Sequence, residues 1–528
     1  MNQTIGLEAD LTETSNKARL SEIAVQLNSL DNVAIARQNI PAGMRIEHQN
    51  DLLQAQQAIP AGHKIALSAI PVGSEIIRYG QVIGVAKIAI APGDHVHTHN
   101  VGLGTPTKNI KSVQSNPSTS QTSNDRSFTF QGYRRPDGRV GTRNYIAVIS
   151  TVNCSAHAAQ QIARAFPADR LKNFPNVDGV IALTHPHGCG VDQDGENYQL
   201  LQRTLAGMAR NPNVGAFILV GLGCEGNQAD ALVRNYQLDQ VNLVTASPFI
   251  IQDLGGVRKT VEAGVEAVAR LLPQVNSVNR SEQPLSELKV GIQCGGSDGW
   301  SGVTANPVVG LVADKIVQQG GSVVLAETPE IVGAEHLLTL RAESPAIADQ
   351  LMAQVRWWEE HTQRLGTALD TNRSPGNAAG GLTTIYEKAL GAVSKAGSSP
   401  LRGVYAYAEP VTTRGLAFMN SPGNDSISVT GQVAGGCNLV LFTTGRGSVF
   451  GFKPAPSIKI CTNSLTYQRM SEDMDLNAGK VLEGSSLEEV ADELFQQVLS
   501  VASGQPSKSE ALGIGEAEFN PWFLGGVL

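Results

Sequence analysis

The chain has 528 residues, 41% of them hydrophobic and 17% charged, with a formal net charge of −8. That length is enough for two to four domains with cores of their own, and the composition is that of an ordinary globular protein. The acidic balance argues against a nucleic-acid partner and against attraction to anionic membranes, and no apolar run is long enough to span a bilayer.

Residues 1–28 read as a polar tail, and the opening MNQTIGLEADLTETSNKARL lacks the apolar stretch of a secretory signal. Residues 29–100 are expected to form a small all-β domain, because NVAIA, IALSAI, EIIRYG and VIGVAKIAIAPG are short strand-like runs separated by IPAG, IPVG and APGD turns. Residues 101–127 read as a flexible linker, rich in Ser, Thr, Asn, Gln and Pro. From 128 onward buried four-to-eight-residue runs alternate with helical patterns: YIAVIS, GVIALTH, GAFILVGLG, VNLVTAS, KVGIQCGGSD and GSVVLAET. This pattern predicts an α/β domain over 128–284 and a second α/β, catalytic domain over 285–528, both with mostly parallel sheets.

Six cysteines are scattered through the chain, which fits free thiols in a reducing cytoplasm. Four of them, Cys154, Cys189, Cys224 and Cys294, directly follow predicted strands. In open α/β sheets that edge is where ligands bind, so the four thiols could converge there. Cys437 and Cys461 lie inside apolar strands and read as core. The stretch ALTHPHGCGVDQDGEN, 182–197, gathers His185, His187 and Cys189 with three acidic residues. Such a loop suits a metal, an acid–base pair or a plain turn.

Further along, GLGCEGNQ sets Glu225 beside Cys224, and CGGSDGWSGVTANP offers Ser297, Asp298, Ser301, Thr304 and Asn306 before a helix. Exposed backbone N–H groups and hydroxyls there suit a carboxylate or a polyol. The loop matches neither a P-loop nor a dinucleotide fingerprint. Arg446, between glycines in TTGRGSVFG, is placed to clamp a carboxylate with its planar fork. SPGNDSIS, with Asn424 and Asp425, and SPGNAAGGLTT, with Asn377, are polar turns of similar kind. GDHVHTHN carries His95, His97 and His99 at strand spacing, on one face, and suits a metal or an ordinary surface ladder equally.

Taken together, GYRRPDGRVGTRNY, HPHGCGV, VGLGCEGNQ, CGGSDGWSGVTANP, SPGNAAGGLTT, SPGNDS and FTTGRG resemble the altronate and galactarate dehydratases, from about residue 29 to the C-terminus. The N-terminal module is similar to the SAF domain, a β-clip fold. Where this chain has His187, family members commonly carry Tyr or another residue. HVHTHN, VGAEHLL and GGCNLVLFTTGRG look closer to the altronate branch. The resemblance implies a hydro-lyase that removes water from a sugar acid to give a 2-keto-3-deoxy product, D-altronate being the favoured substrate and galactarate the alternative. A related lyase such as sulfolactate sulfo-lyase and a non-catalytic sugar-acid or metal sensor are the other readings.

The resemblance also implies a divalent metal, Fe(II) first and Mn(II) second; the thiolate-rich residue set also permits an iron–sulfur cluster, ranked below both because no tight CxxC spacing is present. On this reading Cys154, Cys189, Cys224, Cys294 and His185 are the metal ligands, and His185, Glu225 and Asp298 the acid–base groups. Ser297, Ser301, Asn306, Asn424, Asp425 and Arg446 bind the substrate. The expected partners are a small sugar acid and a second copy of the chain in a homodimer, with no nucleic acid and no membrane.

Overall fold

Two long runs, YIAVIS and VGAFILVG, are buried at every position, which only a strand covered on both faces allows. The computed structural model describes residues 17–104, 127–241, 247–369 and 372–525. It divides into two compact units, one reaching from the N-terminus to Lys108 with Ala378–Glu387 added, the other formed by Asn109–Asn377 and Lys388–Leu528.

The first unit is built from ten short strands: β1 (Lys17–Arg19), β2 (Ala24–Val25), β3 (Val33–Ala36), β4 (Arg45–His48), β5 (Asp51–Gln54), β6 (Lys64–Ala66), β7 (Glu75–Arg78), β8 (Gln81–Ala86), β9 (His95–Val96) and β10 (Val101–Gly102). They form three small sheets, ordered β1-β4-β5, β2-β3-β6-β9 and β10-β8-β7. Residues 17–25, expected to end a polar tail, belong to this module. Leu20, Ile23 and Ala24 are buried in its core beside Ala34, Ile46 and Ile65. The expected linker, from 105 to 126, lies outside the described residues, as do 1–16 of the tail.

Ala378–Glu387 completes the unit, and no sequence pattern announced it. Glu387 is fully buried and ion-paired to Lys64 (2.8 Å) and to Arg78, and Thr383 donates to it through N (2.7 Å) and Oγ1 (2.6 Å). Burial alone would raise this carboxyl, but Lys64 and Arg78 hold it down to about 2.

The second unit contains two parallel sheets. The smaller comprises β13 (Tyr145–Ser150), β14 (Gly179–Leu183), β15 (Val214–Gly221) and β16 (Phe249–Ile250), in the order β14-β13-β15-β16. The strand expected at VNLVTAS falls on 242–246, outside the described residues. A three-stranded sheet of β11 (Thr129–Arg134), β12 (Val140–Gly141) and β17 (Ser281–Pro284) flanks it in the chain.

The larger sheet has β18 (Lys289–Cys294), β19 (Ser322–Ala326), β20 (Leu401–Tyr405), β21 (Gly415–Met419), β22 (Leu439–Thr444), β23 (Ser457–Cys461) and β24 (Leu476–Asn477), in the order β20-β21-β19-β18-β22-β23-β24. All its pairings are parallel. From β18 the chain first builds toward β20 and then crosses to β22, so the order reverses beside β18.

The two α/β regions lie within one compact unit. Helices Glu196–Arg210 and Asp425–Ala434 pack together, and a Cβ at Gly207 would meet the Ala434 carbonyl oxygen at 2.4 Å. One apolar core therefore joins Leu205 and Phe217 to Val433, Phe442 and Trp522. Full burial of each such side chain contributes about 1.5–3 kcal/mol. Among the described residues, no helix is long and apolar enough to cross a membrane.

Candidate active site

At the C-terminal edge of the smaller sheet the histidine loop is a structural turn. His185 is buried, its Nε2 lies 3.0 Å from the Ser150 carbonyl oxygen, and its Nδ1 accepts the His187 amide (3.2 Å). Those contacts set Nε2 as the protonated nitrogen. Burial pushes the imidazole down to about 4, so it is neutral with both nitrogens engaged by backbone. His185, expected as ligand and acid–base group, has no lone pair left for a metal. His187 stacks on Phe523 at 4.4 Å.

Glu225 lies where this sheet reverses order and accepts from Thr151 Oγ1 (2.9 Å), Leu222 N (3.1 Å) and Gly223 N (2.6 Å). It closes the strand-end loop. Cys154, Cys189 and Cys224 are free and exposed along this edge, whereas Cys294 is buried at the end of β18 in the other sheet. The expected five-ligand set is therefore split between two sheets. Cys437 and Cys461 are buried core residues.

The CGGSDGWSGVTANP loop does leave β18 at the sheet's reversal point, where open α/β sheets bind ligands. Several of its side chains build the loop itself. Asp298, expected as an acid or base, accepts from Trp300 N, Ser301 Oγ, Thr462 Oγ1 and Asn463 Nδ2 at 3.0–3.3 Å. Both of its oxygens are thus occupied. Asn306 bridges Thr443 Oγ1 (2.6 Å) and the Gly391 carbonyl (2.8 Å). Asn377 Nδ2 holds the Ser297 carbonyl (2.8 Å), and Asn424 caps the helix that begins at Asp425. Among the residues expected to bind substrate, Ser301, Asn306 and Asn424 are thus engaged in the scaffold by their side chains, and Ser297 by its backbone carbonyl.

Asp425 and Arg446 are placed differently, on either side of the Gly295–Gly296 turn. A Cβ at Gly295 would lie 2.3 Å from Asp425 Oδ2, and one at Gly296 would lie 3.5 Å from Arg446 Cβ. Gly296 also has φ +64°, a conformation glycine adopts without strain. Arg446 is exposed and its amide donates to the Gly296 carbonyl (2.9 Å). Asp425 is half-buried, and Gln293 Nε2 donates to it (3.3 Å).

Behind Asp425 lies a buried cluster that the strand-end search passed over. Cys294 Sγ donates to Glu330 Oε2 (3.4 Å), and Lys388 pairs with Glu330 (2.7 Å). Lys395 is buried nearby. Burial and the neighbouring Glu330 raise Glu327 well above the usual carboxylate range. Burial opposes ionisation of Glu330 too, but Lys388 and Lys395 hold it down to about 2. Burial and Glu330 push Asp425 up to about 6, and burial with Glu330 raises the Cys294 thiol to about 12. Carboxyls driven apart in this way are what an acid–base pair requires.

Glu327 also sits at φ +71°, a costly conformation for a residue with a Cβ and one that concentrates at functional sites. The signal was in the sequence: Glu327 and Glu330 directly follow the strand GSVVLA, in the same position as the cysteines that were singled out. The lysines carried no such mark.

Two groups of side chains bring potential metal-ligand atoms within 4.8 Å of one another: Cys294, Glu327 and Glu330 in the second unit, and His63, His95 and His97 in the first. In the first group Lys388 pairs with Glu330 (2.7 Å) and the Cys294 thiol donates to the same carboxylate (3.4 Å), so a divalent ion there would have to displace both contacts. In the histidine group no donor is ion-paired; the nearby Lys64 ammonium is balanced by Glu387. Burial lowers His95 to about 4 and His97 to about 3, so both are neutral. The expected ladder on one strand is not what forms: β9 stops at Val96, His97 begins a turn, and His63 joins from 32 residues away.

A cavity of about 610 Å³ lies at the opposite edge of the large sheet, lined by Arg139, Arg203, Arg210, Lys289 and Arg414 among others. It is away from the carboxylate cluster, and the strand-end rule favours the cluster as the reaction site.

Three family models match the chain: the altronate/galactarate dehydratase SAF domain over 22–103, the second domain of D-galactarate dehydratase/altronate hydrolase over 132–276, and the D-galactarate/altronate dehydratase C-terminal domain over 285–527. The altronate dehydratase of Bacillus subtilis is 36% identical over 482 residues, covering 91% of this chain and 95% of the relative. That of Escherichia coli is 35% identical over 489 residues, 92% and 96% respectively. The galactarate dehydratase (L-threo-forming) of Escherichia coli is 37% identical over 509 residues, 94% and 96%. With matches spanning all three segments, the chain belongs to the altronate/galactarate dehydratase family and is a sugar-acid hydro-lyase.

Proposed function

We propose that this enzyme dehydrates D-altronate to its 2-keto-3-deoxy acid at the C-terminal edge of the seven-stranded sheet. The observation that carries the reading is Asp425: a half-buried carboxylate raised to about 6, across one glycine turn from an exposed Arg446. A general base works best when its pKa lies near the operating pH, and Asp425 meets that condition where the fully buried carboxyls do not.

In this reading the Arg446 fork holds the substrate carboxylate. Asp425 removes the C2 proton, the C–H electron pair becomes the C2=C3 double bond, and the 3-hydroxyl leaves as water with a proton from Glu327. The enol then tautomerises to the ketone. Lys388 and Lys395 keep Glu330 ionised behind Asp425, which holds the Asp425 pKa up. Turnover is proposed to depend on Fe(II), with Mn(II) second, ions that supply Lewis-acid stabilisation of negative charge when bound; none of the proton transfers above is routed through the ion.

Galactarate is the second reading, favoured by the similar identity and coverage of the galactarate dehydratase relative. The test is anaerobic turnover of purified protein with Fe(II) against D-altronate, galactarate and their epimers, reading the keto-deoxy product. Product from D-altronate alone supports the first reading. Product from galactarate alone replaces it, and no product from any acid overturns both.

A further inference from the structure

We propose that the N-terminal unit is a metal-binding module, in which His63, His95 and His97 hold one divalent first-row transition ion of the Zn(II), Fe(II) or Co(II) class. Strand pairing builds the site. β6 and β9 are antiparallel with Lys64 opposite Val96 and Ile65 opposite His95. Continuing that register sets His63 opposite His97, and one nitrogen from each of the three rings lies within 4.8 Å of the others.

The hydrogen bonding is that of an incomplete polar site. His63 Nε2 lies 3.3 Å from the Ala379 carbonyl oxygen, which fixes the proton there and leaves the Nδ1 lone pair facing inward. That lone pair meets His95 Nε2 at 2.9 Å. Nitrogens on adjacent sites around a metal with bonds of about 2.1 Å stand about 3.0–3.4 Å apart, close to this spacing. His97 Nδ1 is buried with no hydrogen-bond partner among the described residues.

The surroundings are built around these rings. A backbone carbonyl on the outer nitrogen is the usual support of a metal-bound histidine, and Ala379 supplies it to His63. The segment bearing Ala379 is held by Lys64 Nζ donating to the Gly381 carbonyl (2.7 Å) and by the Glu387 ion pairs. A Cβ at Gly381 would lie 2.2 Å from the Gly62 carbonyl oxygen, so only glycine permits this approach. An all-imidazole donor set selects borderline transition ions over Mg(II) and Ca(II), which need oxygen ligands. His99, whose ring lies 5.5 Å from that of His95, flanks the site.

The proposal stands apart from the reading of Asp425, and its test uses binding alone. Full-length protein is stripped with chelator and titrated anaerobically with Co(II), reading visible d–d bands and metal content. A Cys154→Ser, Cys189→Ser, Cys224→Ser variant and Asp425→Asn serve as controls. One Co(II) per chain is expected in the wild type and both controls, unaffected by excess Mg(II), with affinity falling by more than about 100-fold in His97→Gln and His63→Gln, since losing a direct ligand costs more than losing an outer-shell partner. Melting curves establish that each histidine variant folds, and if one does not, the other carries the test. No stoichiometric uptake, uptake lost in the cysteine variant, or affinity unchanged in a folded histidine variant would overturn the proposal.

Discussion

Asp425→Asn separates catalysis from folding, because the two should move in opposite directions. Asp425 is raised from its ordinary 3.8 to about 6 by burial and by Glu330. Its folded value exceeds its unfolded value, so the stabilising contribution comes from the protonated form. That contribution is complete below about 4 and is lost as pH rises through 6. The displacement corresponds to at most about 3 kcal/mol, and residual water contact at this half-buried group reduces it to about 1–3 kcal/mol. Asparagine keeps the acceptor for Gln293 but never ionises. At pH 7 the variant should therefore be more stable than the wild type by about 1–3 kcal/mol, with the two converging near pH 4. Denaturant unfolding at several pH values measures this.

Turnover should fall by about 10²–10⁴ in the same variant, the usual contribution of a positioned base. In the wild type, kcat/KM should drop about tenfold per pH unit below 6. An Asp425→Asn enzyme within tenfold of wild-type activity, or one less stable at pH 7, would refute the assignment. So would a wild-type acid limb at pH 4.

Arg446→Lys should raise KM for the sugar acid by tenfold or more while the fold persists, since an ammonium cannot reproduce the bidentate contact; steady-state kinetics decide it, and an unchanged KM removes the clamp. Gly295→Ala should push the Asp425 carboxylate and Phe442 aside, because the added Cβ would lie 2.3 and 2.6 Å from them; kcat should collapse together with the limb near pH 6. His185→Ala should cost about 2 kcal/mol or more by leaving the Ser150 carbonyl and His187 amide unpaired, yet leave kcat per folded molecule near wild type. A large loss of kcat in folded protein would return His185 to the reaction. Glu387→Gln leaves Lys64 and Arg78 buried without their counter-charge and should destabilise the N-terminal unit by about 3–5 kcal/mol, read as an earlier melting transition.

Local pattern determined a large share of this protein. Apolar runs such as YIAVIS and KVGIQC are too short and too continuous for surface helices, so parallel buried strands followed from the sequence alone, and with them the edge where chemistry belongs. Family motifs spanning the chain determined the reaction class. Tertiary structure decided which strand-end side chains are spent on the scaffold. His185, Asp298 and Asn306 sit in the right loops, but their polar atoms are spent on neighbouring backbone and side chains, and hydrogen-bond satisfaction cannot be counted along a sequence. Glu327 and Glu330 were legible by position and were outweighed by the more conspicuous cysteines. Lys388 and Lys395 were not legible, because a buried lysine is identified only by the carboxylates folded against it. The histidine cluster makes the same point: His95 and His97 are two residues apart in sequence, but only the β6–β9 register brings His63 to them, since cross-strand proximity depends on pairing and not on separation along the chain.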